Sequence, residues 1–297
     1  MTSGPPIALT GLTKRYGNFT AVDDVSLVVQ AGSICGLLGP NGAGKTTTFK
    51  CLLGFERPAA GTVAIEGAPI TPATFESLAY VPERATLYDN LTIAQHLTLY
   101  RRSYKAYDEA RARELLALFA LDPGKRAKRL SKGMRTAVAL TLAFSIRPRI
   151  LILDEPSSGL DPVHQRNVLD LMIDAAANGA AVLFSSHQVG QVERAADSVA
   201  IMKKGKLIVS SSIDDLKTGE KIIEAVFAGP VPDLNGLAED PRILRVDQTG
   251  SMLRATTHGD SDEIAQRIFA LHPKSIRTID LNLEDIFMNA VSGETPE

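Results

Sequence analysis

Cysteine is scarce: the 297 residues include two, Cys35 and Cys51. Two thiols cannot build a disulfide framework, and both lie in apolar stretches where a free thiol acts as a small core residue. A reducing compartment, the cytoplasm, is the expected setting. Long hydrophobic runs are missing too, since no stretch approaches the roughly 18 uninterrupted apolar residues of a membrane span. The opening MTSGPPIALTGLTKRYG has no basic segment followed by an apolar one. The expectation is a chain neither exported nor itself a pore. Charge of one sign is not in excess either, and a net charge of −2 argues against a dedicated nucleic-acid binder. What is present is ordinary globular composition, 44% hydrophobic and 22% charged, which excludes a disordered chain and a fibrous repeat. At about 100–200 residues per domain, the length allows one large domain alone or with a small one.

The charge is unevenly spread. Residues 1–209 hold 24 basic and 18 acidic side chains, net +6, whereas 210–297 hold 8 and 16, net −8. Two domains are therefore expected, 1–209 and 210–297. In the first, strands are expected at Ile7–Tyr16, Val25–Val29, Ser33–Leu38, Gly61–Gly67, Leu78–Val81, Ile150–Leu153 and Ala181–Ser185, with a hairpin at Lys203-Lys204-Gly205. Helical spacing at Thr92–Arg102 and Asp108–Leu121 marks a helical insert over about residues 84–130, and further helices start at Ser131 and after Pro162. Strands alternating with helices predict a wound α/β core. Beyond Ser210–Ser212, strands at Ile222–Ala228, Ile243–Asp247 and Met252–Thr257, with amphipathic runs at Asp262–Leu271 and Leu283–Val291, predict a small C-terminal α+β domain. The proline-rich 229–234 segment reads as a loop.

The segment Gly39-Pro40-Asn41-Gly42-Ala43-Gly44-Lys45-Thr46 matches G-x-x-x-x-G-K-[ST] between an apolar strand and a helical run. Glycines let successive N–H groups converge on phosphates, and the helix N-terminus adds positive potential. Lys45 then reaches the β- and γ-phosphates, Thr46 ligates Mg²⁺, and Thr47 follows in the same turn. The apolar strand Ile150–Leu153 runs into Asp154 and Glu155. Both acids then emerge at the strand's C-terminal edge, where α/β folds bind ligands. Asp154 is expected to hold Mg²⁺ through water, and Glu155 to orient or deprotonate an attacking water.

At these motifs the sequence resembles the ATP-binding subunits of ABC transporters, over residues 7–209. Leu130-Ser131-Lys132-Gly133-Met134 is similar to the family's LSGGQ signature, in the expected place before the Asp-Glu strand. From the residues alone, Ser131 is a plausible helix N-cap. Tyr16 lies where the family stacks an aromatic ring on adenine, although a tyrosine at a strand end is more often packing. Ser157-Ser158-Gly159-Leu160-Asp161 resembles the loop that crosses the dimer interface, and His187 the switch histidine that touches the γ-phosphate.

Three positions depart from the family pattern. Glu83 stands where the family has a glutamine linking Mg²⁺ and water to the membrane subunit, Lys132 replaces a glycine and Met134 a glutamine. A carboxylate oxygen ligates Mg²⁺ as an amide carbonyl does, so the metal role is expected to persist at Glu83. Such variants, and the tail Leu283-Glu284-Asp285-Ile286-Phe287, resemble single-domain ABC ATPases that serve separate export-type membrane subunits. Residues 101–135 hold 11 basic against 4 acidic side chains. That excess reads first as a solvated face, and otherwise as a surface toward anionic lipid or a membrane subunit.

The resemblance implies a P-loop NTPase core of ABC ATPase type with a helical insert. It implies hydrolysis of ATP with Mg²⁺ in a head-to-tail dimer, each ATP lying between one phosphate loop and Ser131–Gly133 of the other chain. The partners implied are a transmembrane permease subunit and a second copy or a paralogous ATPase, at the inner face of the cell membrane, with no nucleic acid. The rivals are an ABC ATPase acting on ribosomes or DNA, and a nucleotide-sensing adaptor without turnover. One motif set and no heptad insert speak against the first, and Glu155 against the second.

Overall fold

Alternating burial shapes the first two strands, β1 (Ile7–Tyr16) and β2 (Phe19–Val29), which pair antiparallel about the turn at Gly17 and Asn18. β3 (Ile34–Leu38) is buried at every residue, as a strand covered on both faces must be. The glycine-rich loop then opens α1 (Lys45–Leu52), and β4 (Ala60–Ile65) returns antiparallel to β1 to complete a sheet of order β2-β1-β4. The remaining strands are β5 (Leu78–Val81), β6 (Ile150–Asp154), β7 (Ala181–Ser186), β8 (Ser198–Lys203) and β9 (Lys206–Ser212). They join β3 in a second sheet of order β5-β6-β7-β3-β8-β9, with its β5-β6-β7-β3-β8 pairs parallel. Lys204 and Gly205, at φ 49 and 84, form the two-residue turn between β8 and β9.

This computed structural model describes residues 4–234, 236–258, 261–280 and 282–292. The chain divides into two units, Met1–Ser210 and Ser211–Glu297. In the first, Phe49 and Leu52 of α1 lie in one cluster with Leu9 and Leu12 of the antiparallel sheet and Leu37, Ile152 and Leu183 of the parallel one. The helix is thus held from both sheets, which fixes the loop that precedes it. Cys35 and Cys51 belong to this cluster as free thiols, and burial pushes the Cys35 thiol up to about 11.

Side-chain caps start the helices between β5 and β7. Thr92 and Gln95 form a capping box on α2 (Ile93–Ser103), and Asp108 accepts the Arg111 N–H at α3 (Glu109–Leu118). Ser131 accepts the Met134 N–H at α4 (Lys132–Ser145), and Asp161 accepts two N–H groups at α5 (Pro162–Ala177). A short α6 (Val189–Ala195) follows β7.

The second unit contains α7 (Ile213–Gly219), β10 (Glu220–Val226), β11 (Ile243–Thr249), β12 (Met252–His258), α8 (Ser261–Phe269), β13 (Ser275–Asp280) and α9 (Leu283–Ser292). Its strands form an antiparallel sheet of order β11-β12-β10-β13, and Ile264 and Ile268 of α8 pack on Ile223, Ala225, Leu253 and Ala255.

Several elements go beyond the sequence expectations. β13 has no periodic signal in the sequence: it is an edge strand whose two isoleucines, Ile276 and Ile279, are three apart and break the period of two. α6 and α7 are seven residues each, too short for a periodic signal. α3 stops at Leu118 rather than Leu121, because Ala120 turns left-handed at φ 48 and the Leu121 N–H bonds back to the Leu116 carbonyl. That is a helix stop made without the glycine that usually announces it. Among the described residues no helix is long and apolar enough to cross a membrane.

Phe184 of β7 is fully buried among the parallel strands. Phe184→Ala is expected to cost about 3–5 kcal/mol, read as a lower urea midpoint for unfolding of the first unit.

Candidate active site

Parallel strands present their C-terminal ends at one edge, and in register those of β3, β6 and β7 end together: Leu38 faces Ser186, and Asp154 faces Ser185. At that edge lies a cavity of about 700 Å³. Its lining includes Asn41 to Gly44 of the loop, Lys45 to Thr47 of α1, Glu83, Asp154, Glu155, Ser158 and His187, with Phe19 and Ala21 from β2.

Backbone geometry shapes the loop. Gly44 stands at φ 108 immediately before α1, where a Cβ would come within 2.6 Å of the Ala21 carbonyl oxygen. Only glycine fits there. No side chain caps the helix behind it, so the first-turn N–H groups of α1 remain available to an anion. Lys45 curls back instead of extending: its Nζ donates to the carbonyls of Gly39 at 2.6 Å and Pro40 at 3.3 Å. Gly39 and Pro40 therefore sit behind the cavity wall and serve as acceptors.

Burial lowers the Lys45 pKa, while the charges of Glu155, Asp154 and Glu83 act against that shift. The wall thus sets one ammonium among three carboxylates, Glu83, Asp154 and Glu155. A polyphosphate entering this field gains from Lys45 and is opposed by the acids, an imbalance that a divalent cation would offset. Oxygen donors suited to Mg²⁺ are in place: the Thr46 hydroxyl donates to Asp154 Oδ2 at 2.8 Å. Among the described residues no group of three or more His, Cys, Asp or Glu side chains could hold a metal by itself. An ion here would draw further ligands from phosphate and water, as Mg²⁺ commonly does.

The acid pair is held by hydrogen bonds. Ser185 Oγ donates to Asp154 Oδ1 at 2.6 Å and accepts the Glu155 N–H at 2.9 Å. His187 Nδ1 lies 2.7 Å from Glu155 Oε2, so the imidazole and the carboxylate form one unit facing the cavity. Glu155 itself stands at φ 51, in the left-handed region that a side chain disfavours.

Other expected positions lie off the wall. Ser131 is the α4 cap, and Lys132 Nζ reaches Ser158 Oγ at 2.8 Å. Gly133 presses on the 157–161 loop so closely that a Cβ would meet the Gly159 carbonyl oxygen at 2.3 Å. Asp161 caps α5, and the backbone N–H and ring of His164, with the Val163 N–H, hold its carboxyl below the usual range. Tyr16 is not part of the lining either: the Lys14 ammonium, paired with Glu56 at 2.7 Å, sits over its ring at 4.9 Å. Its cross-strand partner Phe19 lines the cavity instead, 65% exposed. From the sequence this strand is expected to begin at Val25, whereas β2 begins at Phe19, so only the structure brings Phe19 to the cavity. Ser185 carried no motif signal at all, because only its register with Asp154 gives it a role.

The ABC transporter family profile matches residues 22–158. The chain is 30% identical to the ABC transporter ATP-binding protein YtrB of Bacillus subtilis (strain 168), over 97% of this chain and 99% of that protein. It is 28% identical to the Nod factor export ATP-binding protein I of Mesorhizobium japonicum, over 98% of this chain and 88% of that one. Among solved structures, an ATP-binding subunit of an ABC transporter superposes with a TM-score of 0.66 at 32% identity, covering 71% of this chain and 92% of the other. With the phosphate loop, the acid pair and the histidine on one cavity, and with similarity along nearly the whole of a relative, the chain belongs to the ATP-hydrolysing, ATP-binding subunits of ABC transporters.

Proposed function

We propose that this chain binds ATP with Mg²⁺ in the cavity at the sheet edge, hydrolyses it in a head-to-tail dimer, and so drives a separate transmembrane subunit in export. The observation that carries this reading is the convergence of Lys45, Thr46, Asp154, Glu155 and His187 on one cavity wall. Lys45 exchanges its bonds to the Gly39 and Pro40 carbonyls for phosphate oxygens, joined by N–H groups of residues 41–47. Thr46, Asp154 and Glu83 are the oxygen donors for Mg²⁺, which when bound neutralises charge on the phosphates. Glu155 accepts a proton from the attacking water, and His187, already on Oε2, orients that carboxylate toward the γ-phosphate. Phe19 and Ala21 form the apolar end of the cavity, a place for the base.

The dimer accounts for the residues that one chain leaves off the wall. Ser131, Lys132 and Gly133 stand at the N-terminus of α4, whose first-turn N–H groups suit an anion supplied by a second chain. Through the Lys132–Ser158 bond the same segment touches the cavity rim of its own chain, and Asp161 lies on that loop. The Nod factor export relative and the replacements at Glu83 and Lys132 support export through a separate permease, with the chain peripheral on the inner face of the cell membrane.

Lys45→Ala is expected to weaken ATP binding at least tenfold, about 1.4 kcal/mol or more, by calorimetry. Glu155→Gln should keep ATP affinity yet lose about 10²–10⁴-fold in phosphate release, and should elute as a dimer with ATP in gel filtration. Persistent monomers with normal turnover would sink the base assignment.

Shared sites are tested by mixing Lys45→Ala chains with Ser131→Arg chains. One site of each mixed dimer then carries both lesions and the other neither. Activity above that of either variant alone is the expected result; mixed dimers that form without recovered activity rule the arrangement out.

A further inference from the structure

We propose that Ser185 is the positioning residue that sets the acid pair for turnover, holding Glu155 in its strained backbone turn and Asp154 in a single orientation. The inference rests on the reading of Glu155 as proton acceptor. β6 ends at Asp154, and Glu155 follows at φ 51 directly before Pro156. A side-chain-bearing residue disfavours this left-handed region, and a following proline disfavours α-like backbone further. Something outside β6 must hold the turn.

The described hydrogen bonds supply one such holder. The Glu155 N–H, at the residue where the strand ladder ends, donates to Ser185 Oγ at 2.9 Å. The same hydroxyl donates to Asp154 Oδ1 at 2.6 Å. A hydroxyl has one proton to give and lone pairs to receive, so a single atom serves both bonds. Donation to a carboxylate polarises the oxygen and strengthens it as an acceptor. Asp154 Oδ1 is thereby committed, leaving Oδ2 to face Thr46 at 2.8 Å.

Strand register makes this possible. β6 and β7 pair in parallel with Asp154 opposite Ser185, so the hydroxyl stands beside the last residue of the acid strand. Ser185 is 0% exposed and absent from the cavity wall, so it acts through the acids and not on the nucleotide. An apolar residue here would leave both the Glu155 N–H and Asp154 Oδ1 without this partner, freeing the turn to relax toward ordinary φ. The Glu155 carboxylate would then move relative to the phosphate-binding loop. Misplacement of a reacting group by about 1 Å costs on the order of a hundredfold in rate.

The test is Ser185→Ala in the full chain, read by kcat at saturating MgATP and by ATP affinity in calorimetry. Ser185→Cys preserves volume with a much weaker hydrogen-bonding group and serves equally if the alanine variant does not fold. The expected result is a kcat lower by about tenfold to a hundredfold, with the ATP dissociation constant within about threefold of the unsubstituted protein. A kcat within about threefold of that protein overturns the proposal. So does a joint collapse of kcat and affinity, or loss of the fold in both variants, since each means that Ser185 only supports the structure. Glu155→Gln is measured alongside. If it is inactive while Ser185→Ala turns over normally, Ser185 alone loses its role; if Glu155→Gln turns over normally, the proton-acceptor reading fails with it.

Discussion

Register in the parallel sheet is the constraint on which the rest depends. β3, β6 and β7 contribute a phosphate-type loop, two acids and a histidine, and each group stands at or directly after the end of its strand. A slip of one residue between β6 and β7 would turn alternate side chains to the opposite face and separate Ser185 from Asp154. Every residue of β3, β6 and β7 is buried, so such a slip would also leave buried polar groups such as Asp154 and Ser185 without their partners. The apolar composition of the strands therefore holds the polar chemistry at their ends in place.

Around the cavity the fold keeps unfavourable features that a purely structural protein would lose. An ammonium is largely desolvated, three carboxylates share one wall, and a glutamate is held left-handed. Each has a local compensation: carbonyls accept from Lys45, Thr46 and Ser185 donate to Asp154, and His187 partners Glu155. On the proposed function, a polyphosphate with its cation would answer the same charges. At this cavity a left-handed glutamate and several buried or closely set charges occur together, a combination suited to an ATP-hydrolysing subunit.

Much of this was legible beforehand, for identifiable reasons. β1 and β5 lie where alternation and apolar runs put them, and the starts of α2, α3 and α4 follow Thr92, Asp108 and Ser131, whose side chains satisfy the first-turn N–H groups. The loop of residues 39–46 was readable because its glycines, lysine and threonine each meet a separate local demand. Less legible were features lacking a local demand. Ala120 ends α3 without glycine, β13 pairs at a sheet edge with two partly covered isoleucines, and Phe19 reaches the cavity where Tyr16 does not.

The sequence by itself determined the residue kinds, their order and the strand or helix each motif stands on, because capping, periodicity and turn chemistry act over a few neighbouring residues. Tertiary structure alone decided which atoms meet. The bond from Ser185 to Asp154 spans 31 residues, that from Thr46 to Asp154 spans 108, and the contact of His187 with Glu155 spans 32. No local rule encodes such pairs. They arise because close packing of two sheets around α1 leaves one register available, and in that register these strand ends come together.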